Sequence, residues 1–137
     1  MITAVDSSVL LDILSGDREF GEASRRALRE CTMRGALVAC EVVWAEVAGW
    51  FKEDSRKLVE ERLRVEFDAM QLDAAITAGR AWQRYRAARG PRQSLIADFL
   101  IGAHAATQAD RLLARDRGFY RRYFTDLNVI EPSALSG

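Results

Sequence analysis

The sequence has few of the residues that bind soft metals, with one histidine, His104, and two cysteines, Cys31 and Cys40. The cysteines do not form a CxxC pair, and one histidine adds too few ligands, so we expect no zinc site. Reduced cysteines of a cytoplasmic protein are the simplest interpretation. His104 follows Asp98 by six residues, which on a helix turns it away from that acid. We therefore interpret His104 as a core or interface residue without catalytic chemistry.

Long hydrophobic runs are also missing. No apolar stretch approaches the roughly 20 residues that cross a bilayer. The first residues, MITAVDSS, contain no basic residue and include an aspartate, so we expect neither a signal peptide nor a membrane anchor, and a cytoplasmic location. With 137 residues and no repeat or linker, the chain is predicted to form a single domain over residues 1–137.

The chain has no excess of charge of either sign, because 20 basic and 20 acidic residues balance. Lys52 and Lys57 are its only lysines, and the other basic residues are arginines. Five arginines and no acid occur in RAWQRYRAARGPR, residues 80–92, together with Trp82 and Tyr85. Arginines beside aromatic rings suit phosphate and base contacts. On composition alone, a solvated helix face explains this segment more simply.

Short apolar segments alternate with helical patterns along the chain. This alternation predicts an α/β domain with a mostly parallel sheet covered by helices. In such sheets, functional residues gather at the carboxyl ends of the strands, where Asp6 and Asp116 are expected. The predicted strands are ITAVD (2–6), ALVA (36–39), AMQL (69–72), RLLAR (111–115) and LNVIEP (127–132). The predicted helices span 7–16, 18–35, 41–51, 55–67, 73–90 and 94–106.

Three apolar segments each contain a single charge, and that charge is always an acid. Asp6 is the only charge in residues 1–11, Glu46 in residues 42–51, and Asp98 in SLIADFLIGAHAA. A lone carboxylate in a buried segment costs several kcal/mol unless a cation, a set of donors or protonation relieves it.

Each acid has a structural explanation of its own. Asp6 could cap the following helix, Glu46 could pair with a core arginine, and Asp98 could lie near a helix N-terminus. One divalent cation would relieve all three acids together. Since the ligands are oxygens only, Mg²⁺ or Mn²⁺ is the expected ion. Such a cluster, in a chain without a nucleophilic triad, is typical of enzymes that hydrolyse phosphodiester bonds.

Four blocks in order, AVDSSVLLDIL, VVWAEV, ADFLIGAHA and LLARDRGFYRRYFTDLNVIEP, resemble the PIN domain. More narrowly, they look like VapC-type ribonuclease toxins of bacterial toxin–antitoxin pairs. The resemblance extends from Ile2 to Pro132. It implies a three-layer α/β/α sandwich and a Mg²⁺-dependent endoribonuclease that hydrolyses RNA phosphodiester bonds. It also implies a homodimer and a small VapB-type antitoxin as partner.

The resemblance assigns roles to individual residues. Asp6, Glu46, Asp98 and Asp116 match the family's acidic quartet. Asp6 and Asp98 match the pair that carries the first metal. Glu46 and Asp116 would complete the ligand shell, position the attacking water or help to hold a second ion.

Further candidates come from the arginine-rich segment and from small polar positions. Arg89 and Arg92 are our candidates for RNA phosphate contacts. The sequence departs from the family pattern at Ser8, where asparagine is usual, and at Ala114, where threonine or serine is usual. Cys40 and Val43 replace a common serine and threonine. Each change is expected to weaken a hydrogen bond around the acids, which puts a second metal ion in doubt.

The nuclease has two rival interpretations. A catalytically silent PIN domain that only binds RNA or protein is the alternative, and the intact quartet argues against it. A receiver-like phosphoacceptor would need a lysine late in the chain, and none is present. We interpret Asp12 as a surface charge. Trp44, Trp50 and Phe51 are interpreted as core, or as part of a partner-binding groove.

Overall fold

A computed structural model describes residues 1–88, 96–116 and 118–135. Within these ranges five strands form one parallel sheet in the order β3-β2-β1-β4-β5. The strands are β1 (Ile2–Val5), β2 (Ala36–Ala39), β3 (Val65–Phe67), β4 (Arg111–Leu113) and β5 (Val129–Ile130). The helices are α1 (Ser7–Ser15), α2 (Gly21–Thr32), α3 (Glu41–Trp50), α4 (Leu72–Ala87), α5 (Ile96–Gln108), α6 (Phe119–Tyr123) and α7 (Pro132–Leu135), with a π-helix at Arg56–Arg62. Across the described ranges, no helix combines the length and apolar character that crossing a bilayer requires.

The order of the strands places helices on both faces of the sheet. The chain moves outward from β1 to β3 and then returns to β4 and β5 on the other side of β1. Because parallel crossovers are right-handed, this reversal puts the helices that follow β1 and β3 on opposite faces. Accordingly, α1 packs on α2, and α4 packs on α5. The predicted α/β/α sandwich with a parallel sheet is confirmed.

The central strand, β1, lies beside the strands whose carboxyl ends lead to candidate site residues. Ala4 of β1 lies opposite Val38 of β2 and Leu112 of β4, so β1 has a parallel neighbour on each side. All three residues are buried, as expected for a sheet covered on both faces. The carboxyl ends of β1 and β4 are therefore adjacent, and the residues that follow them, Asp6 and Asp116, lie at one edge.

The third strand is not where the sequence predicts it. AMQL was expected to be a strand, and this prediction is wrong. The helix expected over residues 55–67 is present at Arg56–Arg62, but Val65–Phe67 is a strand. Arg64 has a positive φ of 60°, which ends the helical segment and turns the chain into β3. Val65 is buried in the sheet, whereas the Met70 and Gln71 N–H groups donate to the side chains of Glu41 and Gln108 rather than to a strand.

The remaining differences concern helix ends. Helix α2 begins at Gly21 instead of residue 18, because the Asp17 carboxylate accepts from the backbone of Glu19 and Phe20 and holds a turn there. The short helices α6 and α7 were not predicted. The predicted end of the long helix at 88–90 falls largely outside the described residues.

An aromatic cluster fixes α6 against α4 and α5. Phe99 of α5 has ring centroids of Tyr85, Phe119 and Tyr123 at 5.4, 4.9 and 5.6 Å, all in edge-to-face geometry. Edge-to-face rings at this spacing add to the free energy of burial. Because Phe99 directly follows Asp98, the cluster also positions that acid relative to α6.

Close packing between α5 and the end of α6 leads to a first prediction. A Cβ at Gly102 would overlap the buried ring of Phe124. We expect Gly102→Ala to lower the free energy of unfolding by about 1–3 kcal/mol, as measured by denaturant titration. Gly79→Ala in α4 is the matched control, because nothing in the described part of the chain lies within 4 Å of its Cβ. That variant should gain about 0.5–1 kcal/mol from helix propensity. Equal stability of the two variants would contradict the prediction.

Candidate functional site

Asp6 is held at the junction of β1 and α1. Its N–H donates to the Leu113 carbonyl over 2.9 Å, which continues the pairing of β1 with β4. Oδ2 accepts from the Ser8 N–H over 3.2 Å and from the Ser8 hydroxyl, so the carboxylate caps α1. Oδ1 accepts from the Tyr120 hydroxyl over 2.8 Å. The capping role considered for Asp6 is therefore real, and one oxygen of the same carboxylate faces a buried tyrosine.

Asp98 lies in the first turn of α5 and meets the same tyrosine. Its Oδ1 is 3.4 Å from the Tyr120 hydroxyl. Burial raises the pKa of Asp98 to about 6, and the charges of Asp6 and Glu46 add to this shift. Repulsion between the crowded acids is the second cause of this shift. Burial is the larger cause.

Glu46 reaches this region from α3. Its Oε1 accepts from the Ser7 hydroxyl over 2.9 Å, so within the described residues the partner of Glu46 is the first residue of α1 and not a core arginine. Its charge acts on Asp98, as the raised pKa of that acid shows. Three elements thus contribute acids to this region, and among the described residues Asp6 and Asp98 are the two that share a donor, the Tyr120 hydroxyl.

The Asp116 side chain binds the turn that follows it in the chain. Its side chain is 1% exposed. Oδ1 accepts from the N–H groups of Gly118 and Tyr120, each over 3.1 Å. Oδ2 accepts from the Arg121 N–H over 3.3 Å and lies 3.4 Å from its guanidinium. Both oxygens of Asp116 therefore hold the turn that leads into α6.

Sequence reasoning missed Tyr120, which is 4% exposed. Burial raises the pKa of Tyr120 well above its ordinary value, and the charges of Asp6 and Asp98 raise it further, so the hydroxyl keeps its proton and donates. The sequence carries no local signal for Tyr120, because a capping aspartate ordinarily accepts from N–H groups two or three residues on and not four. Ser7 was missed as well, as the partner of Glu46.

Ser8 takes part in the hydrogen bonds around the acids. Its hydroxyl donates to Asp6 and accepts from the Arg115 N–H over 3.3 Å. The serine therefore links the ends of β1 and β4 by itself. Whether this serine binds more weakly than the usual asparagine stays a prediction.

An ion pair between buried Asp12 and half-buried Arg115 borders the acids. Asp12 is 5% exposed, so its interpretation as a surface charge is wrong. It accepts two hydrogen bonds from Arg115, of 2.7 and 2.9 Å, and one from the Ser24 hydroxyl of 3.0 Å. The Arg115 guanidinium also lies 4.0 Å above the Phe20 ring. Helix α2 and the loop after β4 cover Asp12 in the fold, which the local pattern of α1 could not show.

The acids open into a depression that Asp6, Asp98, Asp116 and Tyr120 line, with Arg115 in its wall. A larger depression, beside Trp44 and the π-helix, has none of the four acids among the residues that line it. Chemistry is therefore expected at the smaller depression.

The acids differ in how well their arrangement suits a metal ion. As the described side chains are arranged, no three acids, histidines or cysteines stand close enough together to hold one. The pair Asp6 and Asp98 fits best, because both carboxylates reach the same hydroxyl and repel each other. Two such carboxylates with Glu46 nearby suit a hard divalent cation that keeps several waters.

Other predicted residues fall in different places. Arg89 and Arg92 lie outside the described residues. Trp50 is 75% exposed, so its assignment to the core is wrong. Trp44 and Phe51 are half-buried against the core.

His104 is buried, and its Nε2 lies 2.8 Å from Asp68 Oδ2. This contact makes it a satisfied core histidine, as interpreted from the sequence.

Comparison with known proteins adds family and fold. The family model described as the PIN domain matches residues 3–125. No curated protein sequence matches the chain at a significant level.

Among solved structures, VapBC2 from Rickettsia felis, bound to a DNA fragment from its promoter, contains a similar chain. The TM-score is 0.72 at 13% identity, covering 96% of this chain and 98% of that one. VapBC-1 from nontypeable Haemophilus influenzae gives a TM-score of 0.71 at 17% identity, covering 97% and 99%. A toxin–antitoxin complex from Klebsiella pneumoniae gives 0.66 at 20% identity, covering 95% and 97%. At these identities the similarity establishes a shared fold.

Proposed function

The chain belongs to the PIN domain family, and we propose that it is a VapC-type toxin that cleaves RNA with a divalent cation, Mg²⁺ or Mn²⁺. The observation that carries the proposal is the pair Asp6 and Asp98 at one hydroxyl, with the charge of Glu46 acting on Asp98, at one edge of a PIN fold. A bound cation would supply positive charge for the phosphate and lower the pKa of a coordinated water.

The residues of the chain have separate tasks in this proposal. Asp6 and Asp98 would hold the cation. Glu46 accepts from Ser7 at Oε1, and its second carboxylate oxygen would orient a water and accept its proton. Arg115, locked by Asp12, presents positive charge in the wall of the depression and would contact an RNA phosphate. Arg89 and Arg92 remain proposed phosphate contacts.

A silent PIN module is the competing function. An assay with purified chain and single-stranded RNA distinguishes the two. The proposal expects cleavage in Mg²⁺ or Mn²⁺ that stops in excess chelator. RNA binding without cleavage in either metal would favour the silent module.

The proposed partner is a VapB-type antitoxin in the cytoplasm, and the toxin is proposed to act as a homodimer. The similar structures are VapBC and toxin–antitoxin complexes, which supports this partner. A further depression, distinct from the one beside Trp44, is lined by Leu11, Trp50 and Phe51. It shares Leu11, Asp12 and Arg115 with the acidic depression. An antitoxin segment could therefore place an apolar side chain beside Trp50 and a charged one among the acids or at the arginines.

We expect Trp50→Ala to weaken antitoxin binding at least about tenfold and to leave RNA cleavage unchanged, because Trp50 offers apolar area outside the acidic depression. Met33→Ala is the matched control, since Met33 is 78% exposed on α2's C-terminal end and lines neither depression. Truncations of the antitoxin, assayed separately for binding and inhibition, test the charged contact. A fragment without charged C-terminal residues that still inhibits fully would contradict it.

A further inference from the structure

The structure gives the Tyr120 hydroxyl a central place among the acids. It lies 2.8 Å from Asp6 Oδ1 and 3.4 Å from Asp98 Oδ1, so one donor serves carboxylates from two different elements. The shorter contact is a full hydrogen bond to Asp6, and the longer one is weaker. Without a positive charge, two carboxylates this close repel each other, and a shared hydroxyl offsets part of that repulsion.

The position of this hydroxyl depends on Asp116. That carboxylate accepts from the backbone N–H groups of Gly118, Tyr120 and Arg121 and therefore sets the start of α6. Gly118 has a φ of 101°, a left-handed conformation that glycine adopts without strain. Asp116 thus acts on the backbone from which the Tyr120 side chain extends.

Among the described residues, Asp116 differs from Asp6 and Asp98 in that both of its oxygens accept from backbone N–H groups. Within the described residues, Asp98 has one weak donor, the Tyr120 hydroxyl, and Asp6 accepts from the same hydroxyl at Oδ1. Asp116 accepts three backbone hydrogen bonds and lies against the Arg121 guanidinium. Turning it toward a cation would break the start of α6.

We propose that Tyr120 is a positioning residue that orients Asp6 and Asp98 for cation binding, and that Asp116 serves the site through Tyr120 and not as a metal ligand. This inference rests on the proposed metal-dependent function. Loss of a hydrogen bond that orients a metal ligand typically reduces affinity by about 10–100-fold. A carboxylate that only caps a turn tolerates replacement by an amide, because the amide oxygen still accepts from N–H groups.

Mn²⁺ binding to the metal-free protein, measured by titration calorimetry at pH 8, tests both parts. We expect Tyr120→Phe to weaken Mn²⁺ binding about tenfold. Tyr123→Phe removes a hydroxyl from the same helix, within the aromatic cluster, and should bind like wild type. Asp116→Asn should stay within about threefold of wild type, whereas the same change at Asp98 should abolish binding. Melting curves for each variant check that it is folded.

A double substitution sharpens the test. If Asp116 acts through Tyr120, adding Asp116→Ala to Tyr120→Phe causes little further loss of Mn²⁺ affinity, so the two effects are not additive. An additive loss of Mn²⁺ affinity would indicate that Asp116 is a metal ligand. The same conclusion would follow if Asp116→Asn bound Mn²⁺ as poorly as Asp98→Asn. If Tyr120→Phe binds Mn²⁺ with wild-type affinity, only the proposed role of Tyr120 is overturned. Absence of Mn²⁺ binding by the wild type would refute the metal-dependent function itself.

Discussion

Asp98→Asn is expected to reduce RNA cleavage by at least about 100-fold while the protein remains folded. Asparagine has the size of aspartate but lacks the charge that holds a divalent cation. Because the pKa of Asp98 is raised by burial and by neighbouring acids, the neutral amide is also easier to bury than the carboxylate. Lost activity would therefore reflect lost chemistry and not lost structure.

The measurement is a cleavage time course on single-stranded RNA in Mg²⁺, with circular dichroism as the check of folding. Asp68→Asn is the control, because Asp68 pairs with His104 and lies outside the acidic cluster. That variant should cleave like wild type. Undiminished cleavage by Asp98→Asn, or by wild type in excess chelator, would contradict the metal-dependent mechanism.

The second large effect is on stability. The pKa of Asp98 is about 6 in the folded protein and near its ordinary value of about 3.9 when unfolded. A carboxyl with a raised folded pKa destabilises the fold when ionised. The metal-free protein should therefore lose stability as the pH rises from about 4 to about 7, and this loss should be complete above the folded pKa.

Melting temperatures measured with and without metal check this prediction. The difference between wild type and Asp98→Asn isolates the contribution of this carboxyl from those of Asp6, Glu46 and Asp116. The metal-free variant should melt higher than metal-free wild type at pH 8, and the two should converge near pH 4.

Millimolar Mg²⁺ should raise the melting temperature of wild type at pH 8 by roughly 5 °C, because it binds only the folded state, and should leave Asp98→Asn unchanged. Equal Mg²⁺ shifts for both proteins, or none for wild type, would count against a metal site at Asp98.

The sequence by itself determined most of the sheet and the identity of the acids. Strands β1, β2, β4 and β5 stand out because short apolar runs between helices are local patterns. Asp6, Glu46 and Asp98 stand out because each is the only charge in an apolar segment, and burial of a charge demands a reason. The position of β3 was not readable in this way, since a left-handed residue at Arg64 overrides the helical pattern around it.

Only the tertiary structure decided how the acids are used. The Tyr120 hydroxyl meets Asp6 across 114 positions of the chain, and Arg115 meets Asp12 across 103. Neither contact leaves a local pattern, because the sheet brings the ends of β1 and β4 together only when the chain folds. The same physical reason makes Asp116 a cap: which partners its oxygens find depends on the turn that follows β4, and its residue type alone does not specify them.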